Sequence, residues 1–263
     1  MQFAQPLIKI KGKKMSVKDQ VSAQEWQVRQ DLAACYRLVA HYGWDDLIFT
    51  HISVRVPGAE AHFLLNPYGL LFEEVTASNL VKIDINGNKV MESDYEVNPA
   101  GFTIHSAVHE AREDAHCVLH LHTTEGVAIS AQENGLLPLS QFSLFPLSAL
   151  SYHPYEGVAL NPDEKKRLVA DLGTTNFMIL QSHGLLTCAH SVCDAFLYMY
   201  ILQRACESQI MAQSGGGKLI QVPHMIVEGI QAQAEQVLKG AGGSLAWPAL
   251  LRKLDRLDPS YKD

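Results

Sequence analysis

The chain has 263 residues, a net charge of −7 and an apolar content of 47%. That length holds one large domain with a full core, and the acidic balance excludes the basic stripe of a nucleic-acid binder. No apolar stretch reaches the roughly 20 residues that a membrane-crossing helix needs. Lysines at 9, 11, 13 and 14 mark residues 1–20 as a flexible basic tail, too poor in apolar residues for a secretory signal, ahead of a single domain over 21–263. The five cysteines, Cys35, Cys117, Cys188, Cys193 and Cys206, form no C-x-x-C pair. They read as small core residues of a cytoplasmic protein.

Ser22-Ala23-Gln24-Glu25 has the capping-box pattern and opens a helix. Its apolar residues Val28, Leu32, Cys35 and Val39 recur at helical spacing up to Gly43. The β-branched run 47–56 predicts a strand with Phe49 and His51 on one face, and Ile48 and Ile52 on the other. Residues 62–65 predict a second strand, closed by Asn66-Pro67-Tyr68-Gly69. A third, over 80–85, turns back at Asn86-Gly87 toward Lys89-Val90. A helix over 102–112 follows, with Pro99 near its start. Residues 116–119 read as a buried strand leading into a histidine pair, and Thr123-Thr124 offers a cap for a helix over 124–133. The proline-punctuated stretch 135–155 is expected to be irregular, with short strands. Asn161 caps and Pro162 opens a helix through 172, and 177–181 with 185–188 predict a strand pair. Ser191 caps a long helix to about 213, stopped by the glycines at 215–217. Helices over 226–238 and 248–254 flank a glycine loop at 240–243. Strands and helices interleave, so the sheet should be covered on both faces, and the 86–87 hairpin makes part of it antiparallel.

The chemistry concentrates in His120-Leu121-His122 and Ser182-His183-Gly184. Two histidines two apart on a strand face the same side. His183 ends a second apolar run. Three neutral imidazoles drawn from neighbouring strand ends form the ligand set of a catalytic zinc, with a further position left for water or substrate. Buried, hydrogen-bonded histidines satisfy the same pattern without a metal. Cys188 and Cys193 are assigned to packing rather than to ligation.

Five stretches taken together resemble the class II aldolase/adducin family, over residues 31–213. They are Thr50-His51-Ile52-Ser53-Val54-Arg55, Asn66-Pro67-Tyr68-Gly69-Leu70, Glu74-Val75-Thr76-Ala77-Ser78-Asn79-Leu80, His120-Leu121-His122-Thr123 and His183-Gly184-Leu185-Leu186. The resemblance implies an α/β protein with three α/β/α layers and a mixed central sheet. It implies a homotetramer with active sites at subunit interfaces, and a small-molecule substrate in place of nucleic acid or membrane. It also implies a divalent metal held by His120, His122 and His183, with zinc expected and iron or manganese as the alternatives.

The departures from the family pattern are as informative. By this resemblance, the acid/base glutamate of the sugar-phosphate aldolases corresponds to Gly101, which cannot carry a proton. Their phosphate-binding serine-glycine corresponds to Tyr68-Gly69, a phosphate-loop asparagine to His51, and a tyrosine supplied by the neighbouring subunit to Phe142. The run Asn98-Pro99-Ala100-Gly101-Phe102 with His105-Ser106 is similar to the adducin-like branch instead. Eukaryotic heads of that branch are cytoskeletal and generally lack the full histidine set. With the glutamate gone, His105, Glu125 and Tyr155 are the candidate catalytic groups. Each has a plainer role open to it: orienting a ligand, complementing a helix dipole, and packing, respectively. His51, Ser53, Tyr68, Gly69, Gly101 and Thr123 are the expected substrate-binding positions. The expected function is a metal-dependent lyase acting on a small hydroxy-carbonyl compound or sugar acid through an enediolate. The alternatives are a non-catalytic adducin-like interaction module that keeps its metal, and a non-haem iron oxygenase or decarboxylase on the same scaffold.

Overall fold

The computed structural model describes residues 15–58, 60–157, 162–238 and 242–263. The lysines of the basic tail, the Asn161 cap and part of the 240–243 loop lie outside the described residues. After a single turn, α1 (Val17–Gln20), the chain enters α2 (Ala23–His41). Ser22 Oγ accepts the Glu25 N–H at 3.1 Å, which satisfies one orphan donor of the first turn. Glu25 does not fold back on Ser22 as a capping box requires. Its carboxylate turns inward to Arg29 at 3.0 Å and Lys82 at 2.8 Å. The fully buried Arg29 also donates to the carbonyls of Ala77 and Leu80 at 3.1 and 3.0 Å. A buried charge needs such partners, and these clamp the 77–82 segment onto α2.

Seven strands follow: β1 (His51–Arg55), β2 (His62–Leu65), β3 (Val81–Asp84), β4 (Cys117–Leu121), β5 (Leu150–His153), β6 (Phe177–Leu180) and β7 (Gly184–Ala189). They form one sheet in the order β3-β2-β1-β4-β7-β6-β5. Only the β5–β6 pair is parallel, so the sheet is mixed. Interleaved with them are α3 (Pro99–Ala111), α4 (Thr124–Ser130), α5 (Gln141–Leu147), α6 (Pro162–Leu172), α7 (Val192–Ser214), α8 (His224–Leu238) and α9 (Trp247–Leu257). Strand alternation divides the core between two faces. Cys117, Leu119 and Leu121 pack with Leu32, Leu38, Phe196 and Met199 of α2 and α7. Val118 packs oppositely, with Ile104 and Val108 of α3 and Leu168 and Leu172 of α6. His120 shares the parity of Val118, so it belongs to the α3 face. The Tyr36 hydroxyl ties α2 to the sheet by accepting the Ile52 N–H at 2.7 Å and donating to the Ile52 carbonyl at 2.6 Å. No helix among the described residues is long and apolar enough to cross a membrane.

Three further expectations are corrected. The 47–56 strand begins only at His51, because Leu47 and Thr50 take left-handed φ values of 51° and 63°. Phe49 is therefore exposed while His51 is buried. The 135–155 stretch contains a helix, α5, whose start Ser140 and Ser143 cap reciprocally; Pro146 had argued against it. The helix after the histidine pair stops at Ser130, short of 133. The 86–87 hairpin forms as expected: Asp84 Oδ1 accepts the N–H groups of Asn86 and Asn88, both at 2.9 Å, and the return is a bridge from Ile83 to Lys89.

The buried Glu25–Arg29 pair yields a stability prediction. Glu25→Ala should cost about 3–5 kcal/mol, because Arg29 keeps its charge and loses its carboxylate. Urea unfolding reads this as a lowered midpoint at unchanged slope. An unshifted midpoint would mean the pair holds nothing together.

Candidate metal centre

The site is built where β4 ends beside the start of β7. These strands pair antiparallel with His120 opposite Leu186 and Leu121 opposite Leu185, so the end of one lies against the beginning of the other. Gly184 makes the approach close: a Cβ there would stand 2.4 Å from the Leu121 carbonyl oxygen. His183 lies in the turn before it. The turn passes through Ser182 at φ 53° and is held by α4, where the Ser130 carbonyl accepts the Ser182 N–H at 3.0 Å and Ser130 Oγ accepts the His183 N–H at 3.2 Å.

His120, His122 and His183 bring one ring nitrogen each to within 4.8 Å of one another. His120 Nε2 stands 3.0 Å from His122 Nε2 and 3.2 Å from His183 Nε2. Nitrogens around a tetrahedral zinc, at 2.0–2.1 Å from the ion, stand about 3.3 Å apart, so these rings need to yield only a few tenths of an ångström. The His120 ring is nearly perpendicular to the other two, at 78° and 77°, and the lone pairs converge from different directions. The outer nitrogens settle the tautomers. His120 Nδ1 lies 3.0 Å from the Leu185 carbonyl, which can only accept, and His122 Nδ1 lies 3.0 Å from Asp46 Oδ2. Both rings thus donate through Nδ1 and, when neutral, turn Nε2 lone pairs on each other. Lone pairs at 3.0 Å repel unless a proton or a metal ion lies between them. A divalent ion shared with His183 satisfies all three at once, so the donor set fits one. Burial and the neighbouring imidazoles hold His120 well below the ordinary histidine range, and the same causes bring His183 down to about 4. His120 and His183 are therefore neutral ligands at physiological pH. His122 keeps a quarter of its side chain exposed, so the centre opens to solvent.

Beneath the centre lies a second, fully buried histidine layer. His51 pairs with His120 across β1 and β4, and its ring lies 4.1 Å from that of His105 on α3. From there a directed chain runs inward. His109 Nδ1 donates to the Ala115 carbonyl at 2.8 Å, so His109 Nε2 accepts from the Ser53 hydroxyl at 2.7 Å, and Ser53 Oγ accepts from His105 Nδ1 at 2.6 Å. This leaves His105 Nε2 as a buried lone pair with no hydrogen-bond partner. Burial, with the nearby His51 and His109, keeps His105 well below its ordinary range, and His109 is pushed down to about 3 chiefly by burial.

The other expected positions are distributed around this core. Thr123 caps α4 through the Gly126 N–H and donates to Gln203 Oε1 at 2.5 Å. Glu125 accepts from Gln203 Nε2 at 3.0 Å, so it closes a polar chain between α4 and α7. Tyr155 is exposed, and its ring lies 6.1 Å from that of His183. Tyr68 is exposed, and Gly69 follows it at φ 97°. Gly101 lies in the first turn of α3, and Phe142 lies under Arg204 on α5. Sequence reasoning missed two groups, Asp46 and Ser130. Neither has a motif spacing to the histidines it supports; the acidic pair at 45–46, just after the helix stop, was the only available signal.

Known proteins resemble this chain over most of its length. The family model for the class II aldolase and adducin N-terminal domain matches residues 30–210. The chain is 64% identical over 249 residues to a provisionally named aldolase class 2 protein of Pseudomonas aeruginosa, covering 94% of this chain and 96% of that one. It is 40% identical over 244 residues to alpha-adducin of Mus musculus, covering 88% of this chain and 33% of that protein. Among solved structures, an aldolase II superfamily protein from Pseudomonas syringae superposes with a TM-score of 0.90 at 49% identity, over 94% and 99% of the two chains. An L-fuculose 1-phosphate aldolase from Glaciozyma antarctica does so with a TM-score of 0.76 at 26% identity, over 92% and 94%.

The buried neutral imidazoles make stability depend on pH. The folded chain resists protonating His109 until about pH 3, whereas the unfolded chain takes up that proton near pH 6.5. In this window the unfolded state binds more protons, so stability falls as pH drops from about 6.5 toward 3. The urea midpoint of chelator-treated protein should decline steadily from pH 7 to pH 4.5. A flat profile would contradict the buried neutral layer.

Proposed function

Because this chain belongs to the class II aldolase and adducin family, we propose that it is a divalent-metal-dependent, aldolase-like enzyme that makes or breaks a bond next to the carbonyl of a small hydroxy-carbonyl compound or sugar acid. The observation that carries this reading is the facing pair of Nε2 lone pairs on His120 and His122, with His183 as third donor. His120, His122 and His183 hold the ion, with zinc first and iron or manganese as alternatives. When bound, a three-imidazole divalent ion keeps its full charge and polarises a carbonyl so that charge developing beside it is stabilised. The chain's own residues then supply binding and proton movement. Tyr155, exposed at the mouth beside His183, is the proton carrier on the substrate side. His105 has its proton committed to Ser53 and acts from below, holding His51 against the His120 strand. Tyr68 and Gly69, in place of a serine-glycine pair, favour a substrate without a phosphate at that position. Exposed Leu47, Phe49 and Tyr155 ring the metal end of the sheet and support a homotetramer with its sites at subunit contacts.

A second reading has its own support: 40% identity to alpha-adducin, together with glycine at 101, is compatible with a metal-stabilised interaction module without turnover. The two readings part in one experiment. Elemental analysis of the purified protein should find about one divalent ion per chain, and sugar acids and hydroxy-keto acids should turn over only without chelator. His120→Ala and His183→Ala should lose both metal and turnover. Metal without turnover on the whole panel would favour the module, and ferrous iron with oxygen consumption would favour an oxygenase. Tyr155→Phe should keep the metal and lower kcat by about 10²-fold or more. Full activity in that variant would remove Tyr155 from the mechanism.

A further inference from the structure

The ligand set leaves open what fixes the ring of His122. Leu185 is strand backbone and cannot drift, so His120 is held by the sheet itself. His122 lies one residue beyond the end of β4, a quarter exposed, and its Nδ1 is held by Asp46 Oδ2 at 3.0 Å. Asp46 comes from a segment 76 residues away in sequence, on the loop between α2 and β1.

That loop is costly to hold. Leu47 at φ 51° and Thr50 at φ 63° are left-handed without being glycine, and the Asp46 carbonyl accepts the Phe49 N–H at 2.8 Å to close the turn between them. A left-handed backbone at ordinary residues persists where the surroundings over-determine it, and such strain gathers at functional sites. Among the described residues a third non-glycine joins these two: Ser182, directly before His183. All three therefore lie in the two segments that deliver groups to the histidine cluster.

We propose that Asp46 is the positioning residue of this centre: its carboxylate holds the Nδ1 proton of His122, which fixes Nε2 as the ligand atom and raises its affinity for a divalent cation, and the strained 46–50 loop exists to place that carboxylate. This rests on the metal reading given above. The chemistry is that of an imidazole whose outer N–H is taken by an anion. The ring cannot rotate or switch tautomer, and the electron density pushed toward Nε2 makes it a better donor. Asp46 adds the one negative charge that three neutral ligands lack, without occupying a coordination position.

The test uses the full chain and zinc as the probe. Zinc affinity is measured by chelator competition for the wild type, Asp46→Asn and Asp46→Ala, and the His122 tautomer is read by nitrogen-detected imidazole NMR on the chelated proteins. Asp46→Asn keeps the shape and loses the charge; it should bind zinc about 10-fold more weakly. Asp46→Ala should bind 10–100-fold more weakly and show His122 as a mixture of tautomers where the wild type shows one. Melting temperatures of the metal-free proteins should agree, which separates positioning from a structural role. Wild-type protein that binds no zinc would overturn the metal reading itself. Wild-type protein that binds zinc, with both variants matching it in affinity and tautomer, would overturn the role of Asp46 alone.

Discussion

The site depends on one constraint: β7 must begin flush against the end of β4. Leu121 and Leu185 sit opposite each other, and the space between Gly184 and the Leu121 carbonyl admits no side chain. This contact brings His183, which is 61 positions from His122 in the chain, to the same strand end. Antiparallel pairing achieves the convergence cheaply, because one strand's exit adjoins its neighbour's entry. The same register aims the Leu185 carbonyl at His120 Nδ1 and so chooses the tautomer. Fold and ligand chemistry are here a single hydrogen-bonding decision.

Below that strand end, the α3 face carries polar groups where a core would ordinarily be apolar. His51, Ser53, His105 and His109 are all buried, and their hydrogen bonds run one way, ending at the Ala115 carbonyl. A chain of this kind is stable only when every donor finds an acceptor, and a single misplaced proton would leave two donors or two lone pairs facing. This explains why a layer of neutral imidazoles is tolerated there. It also sets His105 in tilted ring contact with His51, the strand neighbour of His120.

Much of this was legible in the chain itself. The His-x-His spacing gave a shared strand face, the apolar runs gave β4, β6 and β7, and the side-chain caps Ser22, Thr123 and Ser191 marked three helix starts. What could not be read was whatever tertiary contact decides. Leu47 to Thr50 has strand composition, yet Leu47 and Thr50 leave the extended region around the turn closed by the Phe49 N–H on the Asp46 carbonyl, the turn that carries Asp46 to His122. Pro146 reads as a breaker, yet α5 accommodates it within two turns behind the Ser140–Ser143 cap. Glu25 has the spacing to complete a capping box, but a buried guanidinium outcompetes a solvated backbone N–H. Asp46 and Ser130 support the ligands through contacts of long sequence separation, which no local pattern encodes.

On the proposed reading, glycine at 101 sets the electrostatic character of the centre. In the family's sugar-phosphate aldolases a glutamate at the corresponding position brings a negative charge and a movable proton together, and it can touch the metal. Here the two duties are separated. Among the described residues the carboxylate that meets the ligand rings is that of Asp46, which meets His122 on the nitrogen turned away from the cluster. Negative charge on that side tunes the ligand while leaving the cluster's own side neutral. On the proposed reading, a bound ion would then keep its full charge, with no carboxylate among the three ligands that hold it. The cost is that no ligand can shuttle protons. On the proposed reading that task falls to Tyr155, which is exposed and whose ring lies 6.1 Å from that of His183.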